Sequence, residues 1–63
     1  MTADEIRQLR LGLNMSQEEF ARELGISFAT VNRWENNKSA PSHLAQRLLD
    51  QVRKRQNRFQ ASS

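Results

Sequence analysis

The chain has 63 residues, of which ten are Lys or Arg, seven are Asp or Glu and none is cysteine. A chain of this length folds as one small domain, with little room for an enclosed catalytic cleft. The lack of cysteine excludes disulfides and thiolate zinc sites, and no apolar run approaches the roughly 20 residues of a membrane span. We therefore expect a cytoplasmic protein that is not an enzyme and that binds no cofactor, metal or membrane.

The net charge of +3 is unevenly distributed along the chain. All seven acidic residues and six of the ten basic ones lie at or before Val52, so this part carries a charge of −1. The other basic residues are Arg53, Lys54, Arg55 and Arg58. A basic end can attract nucleic acid by counterion release, or it can serve only to keep the protein soluble. The charge pattern leaves both interpretations open.

Two capping boxes predict the first two helices. Thr2 with Glu5, and Ser16 with Glu19, have the spacing at which two residues satisfy each other's free backbone amides. The apolar residues that follow at helical spacing are Ile6, Leu9 and Leu13 in the first helix, and Phe20, Ala21 and Leu24 in the second. The pattern predicts a first helix over residues 3 to 13. The second helix should stop at Gly25, because glycine adopts a positive φ without a Cβ penalty.

Serine and proline mark the starts of two more helices. Ser27 is placed to cap a third helix that carries Val31 and Trp34, and Pro41-Ser42 opens a fourth. The apolar residues of the fourth are Leu44, Ala45, Leu48, Leu49 and Val52. No segment alternates like a strand, so we predict an all-α fold, a compact bundle of four or five helices. We assign residues 1–56 to this domain and expect residues 57–63, a basic and polar tail, to fray.

Only Gly25, Ile26 and Ser27 separate the second helix from the third. So short a turn fixes two helices at a steep angle, as in a helix-turn-helix, although an ordinary helical hairpin also fits. The side of the third helix opposite Val31 and Trp34 distinguishes the two interpretations. At about 100° per residue, that side carries Ala29, Asn32 and Arg33, with Phe28 and Thr30 at its flanks.

These outward residues have the chemistry of base readers. In the major groove an Asn amide can pair with adenine, an Arg guanidinium with guanine, and the carbon surface of Ala or Phe with the thymine methyl. A solvated helix face more often carries Glu and Lys pairs four residues apart, which this side lacks. We predict that the residues that read bases are Phe28, Ala29, Asn32 and Arg33, although Asn32 and Arg33 could also be ordinary surface residues.

Residues 6–42 resemble the helix-turn-helix domain of the phage repressor and Cro class, also called the XRE type. The resemblance lies in Arg10, Ser16-Gln17, Phe20-Ala21, Leu24-Gly25, Trp34-Glu35-Asn36, Lys38 and Pro41. It implies that the third helix enters the major groove of double-stranded DNA, a docking geometry for which members of this class are the standard example. It also implies a function in sequence-specific transcriptional repression or regulation.

The resemblance further implies that Gln17, Asn36 and Lys38 hold the phosphates that flank the base contacts. For Gln17 the local chemistry agrees, because the free amides and positive dipole of a first helical turn favour a phosphate oxygen. Gln17 could also be an ordinary first-turn residue, and Lys38 a partner of the helix C-terminal dipole. We add Ser27 and Thr30, beside the readers, to the phosphate-binding set.

Arg10 lies on the apolar side of the first helix, about 40° from Ile6 at 100° per residue. An unpaired charge there would be costly to desolvate. Glu35, at the core edge of the third helix, is the expected partner. We therefore predict an Arg10–Glu35 ion pair that holds the third helix at its angle and has an architectural role.

The chain departs from the family pattern at two positions. Asn37 stands where many relatives have glycine, and asparagine tolerates the left-handed conformation best after glycine, so the turn should form at some cost. Phe28 stands where relatives are often polar, and its ring forms no hydrogen bond to a base. It could contact a thymine methyl or pack against the stem of Gln17.

The fourth helix raises the question of partners. Its apolar side continues through Val52 and Phe59, where a second copy could pair, and a homodimer on a two-fold operator is the default for this geometry. One alternative is a protein-interaction module that uses Phe28 and this helix. Another is an antitoxin, or the DNA-targeting domain of a larger system. His43 has no carboxylate or cysteine at metal spacing.

Overall fold

A computed structural model describes residues 1–61 of the chain, and the side chains of residues 1–56. It contains four helices, α1 (Ala3–Gly12), α2 (Gln17–Leu24), α3 (Phe28–Glu35) and α4 (His43–Ala61). Residues 1–61 contain no strand, so the predicted all-α fold is confirmed, with four helices. Helix α1 ends one residue before its predicted end, and α2 begins and ends where the sequence places it. Helix α3, predicted over about residues 28–36, begins at the predicted residue and ends one residue earlier.

Reciprocal side-chain caps begin α1 and α2, as predicted. The Glu5 amide donates to the Thr2 hydroxyl at 3.1 Å, while the Thr2 amide donates to the Glu5 carboxylate at 2.9 Å. Ser16 and Glu19 form the same two bonds at the same distances. The bonds donated by the backbone amide, and then by the hydroxyl, lower the pKa of both Glu5 and Glu19. Each box satisfies two of the amides that a helix start leaves free.

The first three helices all end at a residue with positive φ. These residues are Asn14 (φ 59°), Gly25 (φ 74°) and Asn37 (φ 61°). At each of them, its own amide donates to the carbonyl three residues earlier, and the next amide donates to the carbonyl five residues earlier. This pair of bonds defines a Schellman motif. The sequence predicts the ends at Gly25 and Asn37 but misses the one at Asn14.

Among the side chains of residues 1–56, ten buried apolar ones, contributed by all four helices, form the core. They are Ile6, Leu9, Phe20, Ala21, Leu24, Val31, Trp34, Ala45, Leu49 and Val52. All ten are among the apolar residues that the sequence assigns to the four helices, so the helical period locates the core.

The prediction for the apolar side of α4 is wrong at the start of the helix. Leu44 is 68% exposed, and Leu48 is only partly buried against the core. The buried side runs along Ala45, Leu49 and Val52, whereas Leu44 lies about 100° around the helix from Ala45. Leu13, after α1, is likewise only partly buried.

The far end of α4 also differs from expectation. The helix continues to Ala61, so the predicted domain end at residue 56 falls inside it. The division into domain and fraying tail stays a prediction. Val52 was predicted to contact a second copy, but it is 5% exposed and packs in the core of its own chain, so it cannot serve as that contact. The side chain of Phe59, the other predicted contact, lies outside the described residues.

Two of the basic residues after Val52 have acidic partners. Arg53 Nη2 lies 2.9 Å from Asp50 Oδ1, and Arg55 Nη2 lies 3.4 Å from Glu23 Oε1. All four side chains are more than 40% exposed, so each pair contributes about 0–1 kcal/mol. Arg55 nevertheless reaches from α4 to α2, and part of the positive charge at this end is neutralised.

Candidate nucleic-acid interface

Helix α3 has one side in the core and the other in solvent. Val31 and Trp34 are buried, at 0% and 4% exposure, whereas Phe28, Ala29 and Arg33 are exposed. Asn32, between the two sides, is partly buried. The orientation that the helical period predicts for α3 is therefore confirmed. The roles of these residues in reading bases stay predictions.

A three-residue turn places α3 against α2. Gly25 ends α2 in the left-handed conformation, and Ile26 packs against the core, which anchors the middle of the turn. The Ser27 hydroxyl then accepts the Thr30 amide at 3.2 Å and begins α3. Both α1 and α2 pack against α3. The arrangement is that of a helix-turn-helix, with α3 as its second helix.

Arg10 and Glu35 form the predicted ion pair. Arg10 Nε and Nη2 donate to the two oxygens of the Glu35 carboxylate at 2.7 and 2.9 Å, and Arg10 Nη1 donates to the Met15 carbonyl at 3.0 Å. The Arg10 and Glu35 side chains are 13% and 1% exposed. Arg7 adds a bond from Nη2 to the Glu35 carbonyl at 3.3 Å, at the end of α3. The bidentate geometry fixes both the position and the angle of α3 relative to α1.

The surroundings of Glu35 keep its carboxylate ionised. Burial by itself raises the pKa of Glu35, because the charged form loses solvation. Hydrogen bonds from Arg10 and Gln17, and the charges of Arg10 and Arg7, act in the opposite direction, and the net result is a lowered pKa. The hydrogen bond to Glu35 also raises the pKa of Arg10. Both partners are therefore charged throughout the neutral range.

Three amide side chains form a hydrogen-bonded chain that starts at Glu35. Gln17 Nε2 donates to Glu35 Oε1 at 3.1 Å, and Gln17 Oε1 accepts from Asn32 Nδ2 at 3.1 Å. Asn36 Nδ2 donates to Asn32 Oδ1 at 3.1 Å and to the Asn32 carbonyl at 2.9 Å. The sequence points to each amide separately as a DNA contact and misses that they bind one another. Their contact depends on how α2 and α3 cross, which no local pattern records.

The other residues assigned to phosphate binding lie at the two ends of α3. The hydroxyl oxygens of Ser27 and Thr30 are 2.8 Å apart, so both take part in capping the helix. Lys38 is exposed just beyond α3, next to the left-handed Asn37. Binding of phosphate by Ser27, Thr30 and Lys38, and by Gln17 and Asn36, stays a prediction.

The described surface away from α3 includes a groove of moderate size. A groove of about 420 Å³ lies between α1, α2 and α4, and it is lined by Gly12, Leu13, Met15, Glu23, Val52, Arg55 and Gln56. Across the part of the chain that the structure describes, no group of three His, Cys, Asp or Glu side chains could hold a metal ion. Among these same residues, no helix combines the length and the apolar composition needed to cross a membrane.

Comparison with known proteins agrees with this geometry. Residues 6–43 match the protein family described as "Helix-turn-helix". Over 45 residues, which are 71% of this chain and 47% of the relative, the chain is 42% identical to YiaG of Escherichia coli, an uncharacterised HTH-type transcriptional regulator. Over 39 residues, 62% of this chain and 19% of the relative, it is 36% identical to BcrR of Enterococcus faecalis, an HTH-type transcriptional activator. No solved structure matches the chain significantly. The chain thus spans about half or less of the length of these curated relatives.

Proposed function

The chain belongs to the helix-turn-helix family of DNA-binding domains, and on that premise we propose that it binds double-stranded DNA sequence-specifically and regulates transcription in the cytoplasm. Helix α3 enters the major groove, which is wide enough to admit an α-helix. The module is not an enzyme and needs no cofactor. Residues 1–56 carry the DNA-binding activity.

The two sides of α3 carry this proposal. The inner side is held by Val31, Trp34 and the Arg10–Glu35 pair, so that the helix has one position and angle. The outer side leaves Arg33 exposed, and the Asn32 amide lies at its edge. A helix that is fixed on one side and offers hydrogen-bonding groups on the other has what direct readout of base edges requires.

Each outer residue has a chemical counterpart on a base edge. The Arg33 guanidinium donates to guanine O6 and N7, and the Asn32 amide pairs with adenine N6 and N7. Ala29 and Phe28 offer carbon surface to the thymine methyl. A good bidentate pair contributes about 1–3 kcal/mol of discrimination against the wrong base, so Arg33 and Asn32 supply most of the specificity.

A second set of residues positions the module on the phosphates. Gln17 uses one hydrogen of Nε2 for Glu35, and the second hydrogen remains for a phosphate oxygen at the start of α2. Lys38 adds a point charge at the far end of α3. The remaining members of the set are Ser27, Thr30 and Asn36. These contacts fix the register on the duplex and carry no sequence information themselves.

We propose repression, by occupation of an operator, as the mode of regulation. The resemblance to phage repressors supports this direction, whereas the name of BcrR describes an activator. A reporter gene placed behind the bound sequence distinguishes the two, since repression predicts lower expression when the protein is present. An antitoxin or the DNA-targeting domain of a larger protein would bind DNA in the same way and would differ in what the bound module carries.

Two copies on a two-fold operator are part of the proposal. Half-sites of such an operator lie about one helical turn apart, ~34 Å. Because Val52 is buried in its own chain, the contact between the copies has to use other residues.

Selection from a random pool of duplex oligonucleotides, followed by footprinting of the enriched sequence, tests the proposal. We expect one enriched motif that binds at least about 10³-fold more tightly than scrambled DNA at physiological salt. Two protected half-sites one turn apart would support the dimer, and a single protected site would exclude it. If no motif is enriched even at low salt, the proposal fails in favour of a protein-interaction module that uses the exposed Phe28.

A further inference from the structure

Gln17 connects the buried ion pair to the reading side of α3. Its amide nitrogen donates to Glu35 and its amide oxygen accepts from Asn32, each at 3.1 Å. We propose that Gln17 is a positioning residue that, held by Glu35, sets the donor and acceptor order of the Asn32 amide and so determines which base edge Asn32 reads. This inference rests on the proposed function, because it explains how the same site distinguishes bases.

Glu35 determines which atom of the Gln17 amide donates and which accepts in these hydrogen bonds. An ionised carboxylate has only acceptors, so the atom of Gln17 that faces it has to be the amide nitrogen. Arg10 holds the carboxylate in the ionised form through two short bonds, at 2.7 and 2.9 Å. The Glu35 side chain is 1% exposed, so bulk water does not compete for the bond from Gln17.

The orientation of the Gln17 amide in turn determines the orientation of the Asn32 amide. With the nitrogen of Gln17 turned to Glu35, its oxygen faces Asn32, and because that oxygen only accepts, the adjacent atom of Asn32 is Nδ2. Asn36 fixes the other end, since its Nδ2 only donates and it lies 3.1 Å from Asn32 Oδ1. Rotation of the Asn32 amide by 180° would place donor against donor at Asn36 and acceptor against acceptor at Gln17.

A fixed orientation of the Asn32 amide matters because the bases differ in the order of hydrogen-bond donors and acceptors along their major-groove edges. After its bonds to Gln17 and Asn36, the Asn32 amide keeps one hydrogen on Nδ2 and one lone pair on Oδ1. A donor beside an acceptor matches adenine N7 and N6, whereas guanine presents two acceptors, N7 and O6. An amide that is free to flip could also donate to guanine O6 or accept from cytosine N4. Loss of Gln17 removes one of the two bonds that fix the Asn32 amide and leaves the bond from Asn36, so it should relax specificity at one position in part.

A double-mutant cycle on the selected operator tests the inference. The measured quantity is the ratio of dissociation constants for operators with G·C and with A·T at the position where Asn32→Ala loses discrimination. We expect Asn32→Ala to lower this ratio about tenfold, as for the loss of one bidentate base contact. Gln17→Met, which keeps the length of the side chain but removes its amide, should lower the ratio several-fold. In the Asn32→Ala background, Gln17→Met should change it no further, because the residue it positions is gone.

The result that overturns the inference is equal weakening on both operators. If Gln17→Met lowers affinity for the A·T and G·C operators alike, Gln17 is only a phosphate contact. A ratio that falls further in the double mutant than in Asn32→Ala would also overturn it. If the wild-type protein selects no motif at all, the proposed function fails instead, and the two failures are therefore distinguishable.

A measurement without DNA tests the hydrogen-bonded chain itself. In the wild-type protein, hydrogen exchange at the Asn32 side-chain amide should be slowed by the bond to Gln17, and Gln17→Met should accelerate it several-fold. Gln8→Met, the same substitution at an exposed position of α1, is the matched control and should change neither the exchange nor the ratio. Unchanged exchange at Asn32 in Gln17→Met would contradict the proposed positioning. Thermal melts of both variants verify that each remains folded.

Discussion

The inner and outer sides of α3 hold their charged residues in opposite ways. On the inner side, Glu35 is 4% exposed and accepts hydrogen bonds from Arg10 and Gln17 at 2.7 to 3.1 Å. On the outer side, Arg33 lies two residues earlier in the chain and is exposed. One helix of eight residues thus provides both a fixed attachment and a free surface. Position around the helix, more than residue type, therefore decides whether a charged side chain stabilises the fold or remains exposed to a partner.

Mutations on the two sides of α3 should have two different kinds of effect. Changes on the inner side should lower the free energy of unfolding, because a buried charge that loses its partner keeps its desolvation cost. Changes on the outer side should alter DNA binding and leave stability within about 0.5 kcal/mol. Gln17 and Asn32, at the border, should change recognition through geometry.

Glu35→Ala should have the largest effect on stability, because it removes the ion pair on the inner side of α3. It leaves Arg10 mostly buried and without its carboxylate, and we expect the free energy of unfolding to fall by about 3–5 kcal/mol. Urea or thermal unfolding measures this loss. Glu23→Ala removes an exposed partner of Arg55 and should cost only about 0–1 kcal/mol. Equal stability of Glu35→Ala and wild type would show that the pair does not hold α3.

Low pH should also weaken the Arg10–Glu35 pair, because protonation removes the charge of Glu35. Although burial opposes it, hydrogen bonds from Arg10 and Gln17 lower the pKa of Glu35 in the folded chain. The carboxylate therefore contributes stability above its unfolded pKa, about 4.3, and that stability is lost as the pH falls through the lower folded value.

The acid effect is measured as the difference in unfolding free energy between the wild type and Glu35→Gln. Glu5 and Glu19 also have lowered pKa values, so both proteins lose stability in acid, and only the difference isolates Glu35. We expect a difference that is largest at neutral pH and shrinks below about pH 4. If the difference in unfolding free energy stays constant down to about pH 2, the stabilisation by Glu35 comes from the packing of its side chain and not from its charge.

Arg33→Ala, on the outer side of α3, should lower sequence discrimination without lowering stability. We expect discrimination at one base position of the selected operator to fall by about 1–3 kcal/mol, while the melting temperature stays unchanged. Binding to operators with single base changes measures the discrimination. Arg47→Ala removes the same charge from an exposed position of α4 and should leave discrimination intact. Equal losses on every DNA for Arg33→Ala would refute its role as a reader.

Lys38→Ala should have the smallest effect, spread uniformly over sequences. It removes one phosphate contact, so the slope of log affinity against log salt should fall by about one, with specificity retained. Lys54, the other lysine, is exposed on α4 and provides the comparison. If Lys54→Ala changes the salt slope as much as Lys38→Ala, the basic end of the chain also contacts phosphates. If it does not, the charge at that end serves solubility.

Local signals explain why much of the fold could be predicted. Caps act over three residues and Schellman bonds over five, so Ser16, Ser27 and Gly25 mark helix boundaries without knowledge of the rest of the chain. The Arg10–Glu35 pair could be predicted because a charge on an apolar side needs a partner, and Glu35 was the acidic residue nearest the core edge. Asn14 was missed because asparagine in the left-handed conformation leaves a weaker signal than glycine.

The chain of amides could not be predicted, nor could the exposure of Leu44 or the burial of Val52. In each case the sequence offers side chains of the right kind, and the outcome depends on which helix lies opposite. Gln17 and Asn32 are fifteen residues apart, and their bond exists only because α2 and α3 cross where they do. Arg55 and Glu23, on α4 and α2, meet for the same reason.

The amino-acid sequence was sufficient to predict where each helix begins, where α2 ends, and which side of α3 is apolar and which side carries Asn32 and Arg33. It could do so because hydrogen-bonding caps and the 3.6-residue period operate within a few residues of chain. Which polar groups bind one another, and which apolar residues of α4 are buried, depends instead on how the helices pack in the folded chain. Those outcomes depend on the crossing of whole helices, which is set by the packing of ten core side chains together and by no short stretch alone.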